Sequence, residues 1–344
     1  MLCGMFAGLM EGVEGLSASL RDGVKAQPEF AAAPASWYFL ATVKELARKP
    51  VRMTFPDGQV YVGFRTESGR LAVISGRCSH MGIDLSLGRV TGERLACPLH
   101  GWEYGTHGVC EHIPAGGEIP DFARQVSFPV EECGGQVFFF NRVEARFPLP
   151  FFDGTAPEQL LAARRFEFSV EVPWYLASAN GFDVQHFRNA HDRVLEGEPV
   201  VDSPHPFAWR LTANFRVSGS SFLDRLTKYV SGPRVKLTVT IWCGNLVLVS
   251  AQFRRTTSYG MVSFVPQKEG RTWVRDIVWV PRSRTLAGRL LLDPLAAEIR
   301  RVFIREFVRA DAMVLDGFRF NAYRTIAADN VLVNYLDWLH KLQP

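Results

Sequence analysis

Between residues 78 and 100 the chain reads Cys78-Ser79-His80, then sixteen residues, then Cys97-Pro98-Leu99-His100, two mixed thiolate and imidazole pairs closing one loop region. Two thiolates on one iron and two neutral imidazoles on the other form a ligand set for a [2Fe-2S] cluster. Exchanging two thiolates for imidazoles removes negative charge and raises the reduction potential above that of an all-cysteine cluster. A chain with this set is expected to accept and pass on single electrons. The main competitor is a structural zinc, but zinc fingers group Cys with Cys and His with His. Here each short loop carries one of each.

The flanking residues Gly101-Trp102-Glu103-Tyr104, then Gly108 and Ile113-Pro114, extend the pattern. Gly101 and Gly108 let backbone pass close to the sulfurs, and Trp102 and Tyr104 offer apolar cover at the metal. The whole run resembles the second cluster loop of the alpha subunits of Rieske non-haem iron oxygenases. Rieske proteins of respiratory complexes carry a further cysteine in each loop; those positions here are Ile83 and Leu99. The loops are thus similar to the oxygenase and soluble ferredoxin branch.

A length of 344 residues suggests two domains. Net charge is +4, from 39 basic and 35 acidic side chains, too little to indicate a nucleic-acid partner. Cys3, Cys110, Cys133 and Cys243 show no disulfide-framework spacing, which points to a reducing compartment, the cytoplasm. Residues 1–35 read as a flexible or peripheral leader. The stretch from Met1 to Leu20 carries Glu11 and Glu14 and lacks a basic start, so it is neither a good signal peptide nor a spanning helix. Leu9, Val13 and Leu16 leave a weak amphipathic membrane contact open.

Short strands are predicted from Trp37, over Val51–Phe55, Val60–Val62 and Leu71–Ile74, and again over Val137–Phe140. The proline-rich Phe147-Pro148-Leu149-Pro150 closes this unit, giving a β-rich domain over residues 36–147. Over residues 148–344 a strand from Phe166 to Val172 and a helical stretch through Val194 come first. Strand-like runs follow at Arg210–Arg216, Lys236–Ile241, Leu246–Val249 and Thr272–Trp279. The class is α+β, with an antiparallel sheet and helices on one face in the second domain. The resemblance implies a helix-grip catalytic domain with a long C-terminal helix.

Asp183, His186 and His191 follow Asn180 within one stretch, spaced Asp-x2-His-x4-His. Two histidines and a carboxylate on ferrous iron leave positions open for dioxygen. At about 100° per residue the two histidines differ by roughly 140° around a helix, which predicts a π-type bulge or a helix end between them. Asp183 and His186 share a face, so a carboxylate could fix the imidazole tautomer. This stretch resembles the mononuclear-iron segment of the same family, whose iron histidines match His186 and His191. The resemblance also implies that Asp183 links the two metal sites across subunits of a homotrimer, bridging His100 of one to His186 of the next. Asn180 is a candidate for contact with substrate or iron, or else a helix N-cap.

The third ligand is expected after Asp293-Pro294, a pair that reads as an N-cap and first turn. Asp311 continues the apolar stripe Phe303, Phe307, Val314 and Phe318, where an unpaired charge is costly and a metal compensates it. Asp316 competes, but falls near Arg305 and Arg309, where an ion pair explains it. The segment Phe307–Leu315 resembles the family's third-ligand helix, with Asp311 at the ligand position. His107 and His112 read as exposed or as shaping the surroundings of the cluster ligands, and His205 and His340 as surface residues. Arginines 300, 301, 305 and 309 form a basic face.

The resemblance therefore implies a [2Fe-2S] cluster, a mononuclear Fe(II) and dioxygen as co-substrate. It also implies a ferredoxin or NAD(P)H-dependent reductase as donor, and hydroxylation, demethylation or desaturation of a hydrophobic ring compound. Twenty-six phenylalanines and the segment Val331–Trp338 suit an apolar, aromatic or steroid-like substrate. The alternative is an electron carrier fused to a hydrophobic-ligand-binding domain without catalytic iron.

Overall fold

The computed structural model describes residues 30, 33–321 and 324–342. The leader lies outside the described residues except for its end, where the Phe30 ring packs 4.2 Å from Tyr175. Strands between residues 37 and 140 pair only with one another, and so do strands between 160 and 281.

The first group forms a three-stranded sheet of Trp37–Thr42, Gln136–Phe140 and Val130–Cys133, and two four-stranded sheets. Turns set the hairpins where the sequence places Pro-Asp-Gly and Ser-Gly, with Gly58 and Gly69 at positive φ. Between the two four-stranded sheets lies a core of Val62, Phe64, Ile74, Leu95 and Tyr104, and Cys78 and Cys97 are buried in it.

The second group is one antiparallel sheet of eight strands. In order they are Leu160–Ala162, Thr272–Pro281, Thr257–Pro266, Leu246–Phe253, Arg234–Trp242, Ala208–Val217 and Arg193–His205, with Phe166–Val170 also on Thr272–Pro281. The helices Trp174–Ala179, His186–His191, Asp293–Leu315 and Asn330–Lys341 contribute to the cores and cavity on one face.

Continuous apolar runs reflect burial on both faces. Leu246 and Leu248 pack against Trp37, Phe39, Phe138 and Phe140 of the three-stranded sheet. Val247 and Val249 point the other way, toward the helices. Tyr38, Leu40, Val137 and Phe139 turn in the opposite sense, into the first unit's own core. The three-stranded sheet is therefore a wall shared by both units, tied by Asn245 Nδ2 donating to the Trp37 carbonyl at 2.9 Å.

Several expectations are corrected. The helical stretch does not run to Val194: it ends at His191, Asp192 is left-handed (φ 53°), and Arg193 opens the strand Arg193–His205. Asp293 is not an N-cap, because the chain is already helical through Gly288–Leu292, a π-helical turn. Its buried carboxylate instead accepts from the Ser283 backbone N–H at 2.8 Å. Among the described residues no helix is long and apolar enough to cross a membrane.

Candidate metal centres

The two cysteine loops are built alike. Cys78 N–H donates to the Ile83 carbonyl and its own carbonyl accepts from Gly82; Cys97 does the same with Trp102 and Gly101, all at 2.8–3.0 Å. Gly82 (φ 70°) and Gly101 (φ 71°) adopt the left-handed turn that closes each loop. Sequence reading singled out Gly101 and missed its counterpart Gly82; a glycine four residues after each cysteine was the available signal.

The thiols of Cys78 and Cys97 are buried neighbours, and burial pushes the Cys97 thiol up, with backbone N–H groups of Leu99 and His100 pulling it partway back. The imidazoles sit outward, with His80 Nδ1 and His100 Nδ1 3.1 Å apart. Trp102 stacks on His80 at 4.5 Å between ring centres, and the Tyr104 hydroxyl lies 3.1 Å from Cys78 Sγ and 3.0 Å from Ser79 Oγ. Two thiol sulfurs facing each other and two imidazole nitrogens facing each other fit the donor set of a [2Fe-2S] cluster with mixed ligation. His107 and His112 are exposed. His205, expected at the surface, is half-buried and packs 5.0 Å from Trp242.

The second centre is assembled from two helices. Ligand atoms of His186, His191 and Asp311 all lie within 4.8 Å of one another. His191 Nε2 is 2.7 Å and His186 Nε2 3.5 Å from the same oxygen, Asp311 Oδ1. Neither a π-bulge nor a break separates the histidines, since His186–His191 is a regular α-helical stretch. Side-chain reach closes the angular gap: the rings stand 78° apart and meet at a carboxylate from another helix.

Both histidine candidates are braced. His186 Nδ1 bonds the Asp183 main-chain carbonyl, which leaves Nε2 as the free donor atom. Burial lowers the His186 pKa and so favours the neutral imidazole a metal requires. His191 lies flat on Phe307 at 3.6 Å, and Arg193, paired with Asp224 at 2.8 Å, donates to the His191 carbonyl. These donors fit a ferrous ion with open positions.

The Asp183 carboxylate does not reach the imidazole as expected. Oδ1 accepts the backbone N–H groups of Gln185 (3.0 Å) and His186 (3.3 Å), capping the short helix. Asn180 follows the Trp174–Ala179 helix as its C-cap and is not an N-cap; it lines the cavity beside His186. Asp316 accepts from the Glu171 N–H at 3.0 Å, not from Arg305 or Arg309. Val314 and Phe318 are exposed, so the inward stripe runs Phe303, Phe307, Asp311 and Leu315. The arginine face is largely satisfied within the chain, with Arg300 donating to the Thr257 carbonyl and Arg301 and Arg305 paired to Glu298 and Glu306.

Asp311 and His186 open onto a cavity of about 260 Å³ between the sheet and the helices, walled by Val247, Val249, Val262, Phe187 and Phe307. One wall residue that sequence reading missed is Asp276, buried at the centre of the Thr272–Pro281 strand.

A family model for the Rieske [2Fe-2S] domain matches residues 36–123. The chain is 30% identical over 197 residues to methylxanthine N1-demethylase NdmA of Pseudomonas putida, covering 52% of this chain and 53% of that protein. It is 26% identical over 162 residues to cholesterol 7-desaturase nvd 1 of Ciona intestinalis, covering 46% and 34%. It thus spans about a third to a half of the length of these curated relatives. Dicamba monooxygenase bound to dicamba shares the fold at a TM-score of 0.70 and 20% identity, over 91% of this chain and 98% of that one. The chain therefore carries a Rieske [2Fe-2S] domain over residues 36–123 and shares its fold, along nearly its whole length, with dicamba monooxygenase.

Proposed function

We propose that this chain is the oxygenase component of a system that hydroxylates or oxidatively demethylates a hydrophobic ring compound. The observation that carries the reading is the convergence of His186, His191 and Asp311, two of which, His186 and Asp311, stand on the wall of a largely apolar cavity. In this reading Cys78, Cys97, His80 and His100 hold the cluster, and His186, His191 and Asp311 hold the mononuclear iron. When bound, the cluster supplies single electrons and the iron activates dioxygen. The chain's own part is to fix the His186 tautomer through the Asp183 carbonyl, exclude water with the valine and phenylalanine walls, and orient substrate near Asn180. Residues 36–147 form the electron-relay domain and 148–344 the catalytic domain.

Electrons arrive from a ferredoxin or an NAD(P)H-dependent reductase, and the chain works as a homotrimer in which Asp183 connects the cluster of one subunit to the iron of the next. The outward position of His80 and His100 supports that route, because imidazoles at the surface can meet a neighbour. An anaerobic preparation tests the reading directly. Iron and acid-labile sulfide near a 3:2 ratio, a reduced-state Rieske resonance, and substrate-stimulated oxygen uptake with a surrogate reductase are expected. A ratio near 1:1 with no oxygen uptake favours an electron carrier, and a colourless zinc protein refutes both.

A further inference from the structure

Among the polar groups on the cavity wall is one carboxyl that neither metal centre uses. Asp276 lies on the Thr272–Pro281 strand opposite Val262 on one side and Phe166 on the other, and is 1% exposed. Its Oδ1 is buried with no hydrogen-bond partner, and among the described residues no other ionisable side chain is on that footing. Burial alone pushes this carboxyl up to about 7, with no basic group offsetting it. An unpartnered carboxyl is among the more destabilising things a core can contain, and folds tolerate such groups where binding needs them.

Asp276 lines the cavity together with Gly260, and a Cβ added at Gly260 would stand in contact with Asp276 Oδ1 at 3.9 Å, so the glycine keeps a side chain off that oxygen. An apolar cavity of about 150 Å³ takes one benzene ring, so about 260 Å³ has room for two fused rings. We propose that Asp276 is the polar anchor of substrate recognition, receiving an N–H or O–H donor carried by an otherwise apolar two-ring substrate. This rests on the reading of the cavity as the substrate site and narrows it. A ligand without the donor leaves Oδ1 unpaired in the complex, and such mismatches discriminate far more strongly than a missing methylene does.

The test is calorimetric titration of the anaerobic holoprotein with four matched probes at about pH 8.5, where the Asp276 carboxyl is ionised and can only accept. Two carry a donor, 2-naphthylmethylamine and 2-naphthylmethanol; two do not, 2-ethylnaphthalene and 2-acetylnaphthalene. The donors are expected to bind at least about tenfold tighter than the others, and Asp276→Leu is expected to abolish the preference while binding the ethyl compound at least as well as before. Equal binding of all four, a ketone that keeps pace with the alcohol, or a preference that survives in Asp276→Leu overturns the role of Asp276 and leaves the cavity reading intact. Failure of all four to bind removes both. The wild-type comparison decides the matter even where the variant does not fold.

Discussion

Arg275 and Asp276 are adjacent in sequence and never meet. Strand alternation sends Arg275 toward the first unit, where it donates to the Phe39 and Leu40 carbonyls, pairs with Glu167 at 3.0 Å and packs 4.3 Å over the Phe39 ring. Asp276 faces the cavity. The nearest cation in the chain is thereby spent on joining the two units, and burial draws its own pKa down to about 10.

The folded-state carboxyl of Asp276 sits at about 7 against an ordinary 3.8, so the folded protein keeps a proton that the unfolded chain releases. Its contribution is complete below about pH 4 and is lost as pH rises through about 7, amounting to a few kcal/mol at most. Urea midpoints of wild type should fall across that window more than those of Asp276→Asn. Parallel pH profiles for the two proteins would contradict the assignment.

Asp311 and Asp316 are separated by metal analysis. Asp311→Ala should lose the mononuclear iron and move the iron-to-sulfide ratio from about 3:2 to about 1:1 with the cluster intact. Asp316→Asn should keep all the iron, since its partner is the Glu171 N–H. The reverse pattern would hand the ligand role to Asp316.

Tyr104 presents its hydroxyl to Cys78 Sγ. Hydrogen bonds to cluster sulfurs favour the reduced, more negative state, so Tyr104→Phe should lower the reduction potential by tens of millivolts, roughly one tenfold step in the electron equilibrium. Voltammetry of the intact protein measures it, and an unchanged potential removes Tyr104 from the account.

Asp183 has a structural duty and a proposed relay duty, which different substitutions divide. Asparagine caps a helix about as well as aspartate, whereas alanine costs about 1 kcal/mol of capping. Asp183→Asn should therefore retain both metals yet turn over poorly, and Asp183→Ala should in addition bind iron less tightly. Full turnover in the asparagine variant limits Asp183 to capping.

The metal motifs were legible because their geometry is local: a few residues per loop fix both donors and turn. Asp311 was legible as a carboxylate on an apolar face, although the stripe around it was misjudged at Val314 and Phe318, which a straight period alone carries outward. The strand Arg193–His205 was not legible, since Glu196, Glu198, Pro199, Asp202 and Pro204 disguise an edge strand as a loop. The helix geometry at His186 was misread because backbone angle was counted and side-chain reach was not. Asp276 stayed hidden for a different reason. In Trp273-Val274-Arg275-Asp276-Ile277 its charge reads as solvent-facing, and only helices folded over that face make it interior.

The aromatic wall built by Trp37, Phe39, Phe138 and Phe140 has an evolutionary and practical consequence. A fragment cut near Phe147 would present those rings to water, so the front half is not an autonomous module in the way its compact motif suggests. Grafting a relative's front half onto this chain demands a match along that seam before any iron chemistry is reached, which makes the seam the barrier to recombination.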